Sequence, residues 1–529
     1  GISAEVHDLP KWNVLPSVTS GNNLSVIYPY GLMPTPLSLA FSDKFFWLSS
    51  PDAVARLEGC QVHKLFLRLM TAIVCFALGI ASENGFAQDG SEGSERQASS
   101  TPEGFRQLQG RHMTFITDLP IDAAMQQLPA VFDAAMPFWG EYFGVPEATW
   151  SRWHVTAYLI GDRNRFKEAG YIPDQLPPFV NGYQLEDQLW CIDQPSDYYR
   201  RHLLLHEGTH WFMYRALGSA GPPWYMEGMA EKIATHRWEE GKLSLDVFPD
   251  RREGFEYWGR LRLIRELRSQ PTRPTLEGIL RYGPTAHQQV DAYAWSWAAV
   301  WFLKNHPRSS VVMERMRKKR LDDVQEFTPR LLVQLRPHWK ELTTSWNAWI
   351  EQIDYGADMQ RDIPEIDFSK ELSGSGPYDV KIAADRGWQD SGIRLRKGDK
   401  IRISAKGRFK IGNDPKPWYS EPDGVTIEYF LGQPLGRLLA LVAAPDASGG
   451  SRVGSTSLKA VGSQTEWTSE QDGVLLLKIN EPSLRLSDNE GMIDAKIEVD
   501  RKSPNAQENS GSEDSKPEDT EQQDSDREK

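Results

Sequence analysis

Cysteine is scarce: the 529-residue chain has three, Cys60, Cys75 and Cys191. That excludes a disulfide scaffold and a cysteine-rich zinc ribbon. Basic charge is not in excess either, since 60 Lys and Arg face 73 Asp and Glu, a formal net charge of −13. A general nucleic-acid binder would show the opposite balance, so no nucleic-acid partner is expected. No apolar run approaches the roughly 18 residues needed to span a bilayer, and no transmembrane helix is expected in the mature chain. What is present suits a chain with buried cores: 40% hydrophobic and 25% charged residues, over a length that accommodates about two to four domains.

The organisation is uneven. Residues 1–61 carry no sustained period and read as an over-extended or unstructured N-terminal segment. Residues 62–87 have the layout of a secretory signal peptide: basic Lys64–Arg68, the apolar run Leu69–Ala81, then small residues. The mature protein is therefore expected to be exported, periplasmic or secreted. Residues 88–109 are rich in Ser, Gly, Glu and Gln and read as a disordered linker. Residues 501–529 hold nine acids and five bases with almost nothing apolar, a solvated acidic tail.

Between these ends lie two textures. From 110 to 367, strand patterns at His112–Ile116 and His154–Ile160, a helical period over Asp122–Tyr142 and a hairpin or edge strand over Phe179–Ile192 give way to helices. From 370 to 500, short β runs alternate with Gly-rich turns, as in Lys400–Ala405, Val425–Phe430, Val474–Ile479 and Ile493–Val499, which suggests a β-sandwich. The expected fold class is α+β, a small sheet with a helical bundle followed by an all-β sandwich.

The chemistry is concentrated in Ser196–His236. Ser196 or Asp197 suits a helix N-cap and Gly218 a C-terminal stop. Between them Tyr199, Leu203, His206, His210, Met213 and Leu217 are spaced by three and four, so they share one face. Two imidazoles one turn apart can bind one Zn²⁺ from the same side. Glu207 completes a His-Glu-x-x-His motif, and its carboxylate can act as general base toward a metal-held water. A catalytic zinc needs a third protein ligand and an open position. Seventeen residues after His210 comes Trp224-Tyr-Met-Glu227-Gly-Met-Ala-Glu231, a helix that Pro222 and Pro223 can start.

With this phrase the region 110–365 resembles the gluzincins, zinc peptidases of the thermolysin and aminopeptidase N type. The resemblance implies that Glu227 is the third zinc ligand and that Glu231 orients the first histidine. It also implies that Tyr293, opening the aromatic helix Tyr293–Leu303, donates a hydrogen bond to the oxyanion, although Trp295-Ser296 replaces the Lys-Gly of the family pattern. The Gly-x-Met-Glu-Asn stretch that binds a free amine in aminopeptidases is missing. Gly182-Tyr183-Gln184, on an expected edge strand, stands in its region and can pair with an extended peptide. An endopeptidase is the expectation. His202, His236 and His287 read as surface or satisfied core histidines.

Residues 376–500 are similar to the bacterial galactose-binding lectin A family, through Trp388–Ile393, Lys397–Ile403, Leu435–Leu438 and Gly473–Leu477. That resemblance implies a jelly-roll-like sandwich with a Ca²⁺ site at Glu481, Asp488 and Asn489, oxygen donors of a suitable type. The sugar-contacting His-Pro-Asp-Gln is replaced by Glu421-Pro-Asp-Gly424, so galactose specificity does not carry over. A carbohydrate or surface ligand and a structural appendage stay as alternatives for this module. For the whole chain the expectation is a zinc metallopeptidase acting on a peptide or protein substrate. The alternatives are a carbohydrate-binding protein with a degenerate peptidase-like part, and a zinc hydrolase of a non-peptide amide or ester.

Overall fold

The computed structural model describes residues 101–501 apart from 287–288, 319–323, 373 and 375. The signal-peptide reading at 62–87, the segment 1–61, the tail from 502 and His287 lie outside the described residues.

The first body is built on a mixed sheet. Its strands are β1 (Arg106–Gln109), β2 (Met113–Thr117), β3 (Val155–Ile160), β4 (Gly182–Leu185) and β5 (Gln188–Ile192), in the order β1-β2-β3-β5-β4. The β2/β3 and β3/β5 pairs are parallel. The outer pairs β1/β2 and β5/β4 are antiparallel. β4 is therefore an edge strand, as the sequence suggests. It is joined to β5 by Glu186-Asp187, with Glu186 at φ 49°.

Two boundaries differ from the sequence reading. The expected linker 88–109 overlaps β1, whose Arg106 and Gln109 pair with Thr117 and Thr114. A short polar edge strand has no apolar signature; main-chain pairing and the Arg106 bond to the Leu119 carbonyl (3.2 Å) hold it. The helical period over Asp122–Tyr142 becomes a regular helix, α1, only at Leu128–Phe143. Asp122 instead lies in the turn before a 3₁₀ helix, Met125–Gln127, and accepts from the Met125 N–H.

One side of this sheet packs on helices. α2 (Asp197–Leu217) starts at Ser196, whose hydroxyl accepts from Tyr199 N–H, and stops at Gly218 with φ 78°. α3 (Pro223–Ala234) begins on the two prolines, where missing N–H groups cost nothing. α4 (Arg260–Leu267) and α5 (Leu276–Leu280) follow, then α6 (Val290–Asn305) and α7 (Trp339–Gln352). Gly228 in α3 lets α6 approach: a Cβ there would lie 2.5 Å from the Ser296 carbonyl oxygen. That contact sets the aromatic helix against the helix carrying Glu227.

The C-terminal region holds two four-stranded sheets among the described residues. One contains β6 (Tyr378–Ala383), β8 (Lys400–Lys406), β11 (Gln464–Thr468) and β13 (Met492–Asp500); the other contains β7 (Gln389–Leu395), β9 (Leu438–Ala443), β10 (Thr456–Ala460) and β12 (Gly473–Ile479). In β8, Ile401, Ile403 and Ala405 point into a shared core while Lys400, Arg402 and Lys406 are exposed. β9 behaves differently: every residue of Leu438–Ala443 is buried. Leu438, Ala440 and Val442 face the other sheet. Leu439, Leu441 and Ala443 pack with Ala348 of α7 and with Ile366 and Trp388. A strand covered on both faces reads as a continuous apolar run.

The β region is thus fastened to the helical body. Asp446 is the central polar tie. It accepts from Leu276 N–H (3.1 Å), from Asn347 Nδ2 (3.0 Å) and from Gly454 N–H (2.9 Å). Asn347 is buried, and its Oδ1 accepts from Arg273 (2.9 Å). Asp446→Ala strands three donors and is expected to destabilise the chain by about 1–3 kcal/mol. Urea unfolding should show a lower midpoint at unchanged m value; an unchanged midpoint would remove Asp446 from this role.

Candidate metal centre

α2 and α3 run back along each other across the Gly218–Gly221 turn. The 3.6-residue period stacks His206 and His210 on one face of α2, and the second turn of α3 brings Glu227 opposite them. His206 Nε2 and His210 Nε2 are 3.1 Å apart. Glu227 Oε2 is 3.2 Å from the first and 3.4 Å from the second. All three residues are buried. Three ligand atoms each about 2.0–2.2 Å from one tetrahedral Zn²⁺ stand about 3.3 Å from each other. The triangle therefore fits that ion, and two imidazoles with one carboxylate are the donor types zinc takes.

Glu207, one position on from His206, is 6% exposed. Neither of its oxygens accepts a hydrogen bond from a described residue. Its carboxylate fits against backbone, since a Cβ on Gly182 of β4 would lie 2.3 Å from Glu207 Oε1. Burial pushes the Glu207 carboxyl up to about 8; Glu227 and Glu231 add to this and His210 opposes it. A cation among the three ligand atoms would act in the opposite direction. Burial also raises Glu227, but His210 and His206 outweigh it and hold that carboxyl down at about 2.

Glu231, one turn beyond Glu227, lies behind the triangle at 2% exposure. Its Oε1 is 3.5 Å from His206 Nδ1, ion-pair distance rather than a formed hydrogen bond. Its Oε2 is 3.4 Å from His202 Nε2. Burial would raise its carboxyl, yet Arg260 and then His202 hold it well below the usual range.

Tyr293, on the first turn of α6, has its ring centroid 6.0 Å from that of His206. Its hydroxyl makes no hydrogen bond to any described residue. Burial, then Glu227 and Glu207, push its titration upward, so the hydroxyl keeps its proton and can donate.

All six residues nominated around the zinc motif, His206, Glu207, His210, Glu227, Glu231 and Tyr293, are thus in one place. Sequence reasoning missed three others. His202 reads from the sequence as a surface or satisfied histidine, yet it borders Glu231; its position four residues before His206 is the available signal. Arg260 carried no signal, lying 29 residues beyond Glu231. Gly182 was noted for its strand rather than for its contact with Glu207. Beside β4 a cavity of about 510 Å³ is lined by Tyr183, Leu185, Asp187, Trp211, Tyr214 and Arg215.

The calcium candidates arrange differently. Glu481 and Asn489 are buried against each other, with Asn489 Nδ2 donating to Glu481 Oε2 at 2.5 Å, while Asp488 is exposed. Arg485 places Nε 3.5 Å from Glu481 Oε1 and also donates to Glu428. Glu481 Oε1 and Asn489 Oδ1 are buried without a hydrogen-bond partner. Two such oxygens beside a guanidinium fall short of the six to eight that Ca²⁺ gathers. These side chains by themselves therefore do not complete a calcium site.

No protein-family model matches the chain, and no curated protein matches it. Among solved structures the chain is similar to one described as the EclA N-terminal domain, a PllA-like lectin. Identity is 20%, with 23% of this chain and 96% of that chain covered, at a TM-score of 0.18. A score of that size carries no argument about this chain's ligand.

Because Gly182 leaves no room for a side chain, Gly182→Ala is expected to cost about 1–3 kcal/mol through overpacking. The cost should shrink in a Glu207→Ala background, measured as a double-mutant cycle on thermal unfolding. Full additivity would mean that the two residues do not meet.

Proposed function

We propose that this chain is a zinc-dependent metallopeptidase, exported by the segment 62–87, that cuts within extended peptides. The observation that carries the reading is the His206–His210–Glu227 triangle with an uncommitted carboxylate, Glu207, beside it. His206, His210 and Glu227 would hold the ion. When bound, zinc would supply an acidified water and polarise a carbonyl oxygen. Glu207 takes the water's proton during attack and returns it to the leaving amine. Tyr293 donates from its hydroxyl to the oxyanion. Glu231 holds the His206 ring from behind, which favours one tautomer.

The peptide assignment draws its support from β4. Among the described residues no strand lies beyond it, so its outer main-chain groups are open to an extended substrate. Gly182 brings that edge against Glu207. The free edge also favours cleavage within a chain, because an edge strand pairs with peptide on both sides of the reacting bond. The lectin-like, jelly-roll reading of the β region and carbohydrate binding belong to this proposal only as its resemblance to the lectin A family. Calcium is not part of it.

Glu207→Gln is expected to keep stoichiometric zinc and lose peptide cleavage by a factor of about 10² or more. His206→Ala is expected to purify without zinc. Metal analysis and a mixed-peptide cleavage assay, with and without chelator, read both. Full activity in Glu207→Gln would overturn the base assignment. Zinc bound without cleavage of any peptide would turn the reading to a non-peptide amide or ester, and no zinc in the wild type would leave a degenerate site.

A further inference from the structure

Behind the metal-ligand triangle lies a second group of buried side chains that the reaction as described does not use. His202, His206 and Glu231 bring their ligand atoms within 4.8 Å of one another. A second ion is not what fills this group, because Arg260 already engages both Glu231 oxygens. Arg260 Nη2 donates to Oε1 at 2.8 Å and Arg260 Nε donates to Oε2 at 3.1 Å. Arg260 as a whole is 9% exposed. Its Nη2 also reaches the Tyr199 hydroxyl at 3.4 Å, and its guanidinium carbon sits 5.7 Å from the centroid of the Tyr293 ring.

We propose that Arg260 is a positioning residue of the metal centre: its two-point clamp fixes the plane of the Glu231 carboxylate, and that carboxylate in turn fixes the ring of His206. The inference rests on the zinc reading given above.

The geometry supplies the reasons. A carboxylate held at one oxygen can swing about its last bond. Held at both by a planar fork, it cannot. His206 has one ring nitrogen directed at the ligand triangle and the other at Glu231, so turning Glu231 turns the nitrogen that would hold the ion. His202 steadies the arrangement from the other side, since its Nδ1 is 3.1 Å from the Ala234 carbonyl and its Nε2 faces Glu231. Arg260 opens α4, whereas His206 and Glu231 come from α2 and α3. It thus ties a third helix to the site, and its guanidinium also lies over the ring of Tyr293.

Lysine separates positioning from charge. Arg260→Lys keeps a cation but has no fork, so it cannot hold both oxygens in one plane. The test uses the full chain and measures zinc dissociation constants by chelator competition, alongside near-ultraviolet circular dichroism and melting of the zinc-free protein. Arg260→Lys is expected to fold as the wild type does without metal and to bind zinc about 10- to 100-fold more weakly, the usual loss when a partner behind a ligand is removed. Glu231→Gln should weaken zinc similarly, and Arg260→Lys/Glu231→Gln should be no weaker than Glu231→Gln alone, because both act through one carboxylate. Unchanged zinc affinity in folded Arg260→Lys overturns the proposal. So does loss of the fold in Arg260→Lys and Arg260→Gln alike, which would make Arg260 a core ion pair instead. A wild type that binds no zinc defeats the metal reading itself, and that arm is read independently of the variants.

Discussion

Two imidazole nitrogens and a carboxylate oxygen within 3.1–3.4 Å of one another are the constraint on which the rest of this chain depends. Lone pairs so close repel in a low-dielectric interior unless a proton or a cation lies among them. The fold supplies the closeness at the cost of that repulsion. It does so with the plainest means available: one helical turn between His206 and His210, a turn at Gly218–Gly221, and Glu227 on the returning helix.

The holding is electrostatic as much as steric. Glu207, Glu227 and Glu231 bring three carboxylates into a buried region. Each meets a different environment. Glu227 faces the two histidines, Glu231 is held by Arg260 and His202, and Glu207 accepts no hydrogen bond among the described residues. On the zinc reading proposed above, the separation suits three different tasks, since a ligand must be ionised, a support must be immobile and a base must be free to take a proton. Gly182 shapes the last of these by keeping side-chain atoms off Glu207.

The β region contributes in another currency. Its second sheet is covered on both faces, by the sandwich core on one side and by α7 with its neighbours on the other. Asp446, Asn347 and Arg273 link that sheet to the helices by hydrogen bonds, and Asp446 also receives the first N–H of α5. The module is therefore bound into the helical body by apolar burial and by satisfied polar groups together. Such a seam resists sliding better than either alone, because displacement would leave buried donors unpaired.

Local rules make much of this legible in the sequence. Helix period and caps placed His206, Glu207 and His210 on one helix and Glu227 and Glu231 on the next, because those rules act over a few residues. Short β runs between Gly-rich turns marked β8 and β13, and both turn out to have one face in water. The edge position of β4 could be anticipated from its polar, Gly-bearing pattern. Other features escaped for reasons that are equally physical. β1 is held by a main-chain ladder, which is blind to side-chain type. β9 is apolar throughout, so its run could not say which residues meet α7. Arg260 reaches Glu231 only because α4 folds over α2 and α3, and nothing local to residue 260 records that. By itself the sequence determined which side chains stand one turn apart and which of them are chemically able to bind or to accept a proton. Only the tertiary structure decided which of them meet across helices, since contacts between distant segments follow from how whole faces pack and not from the residues on either side of each one.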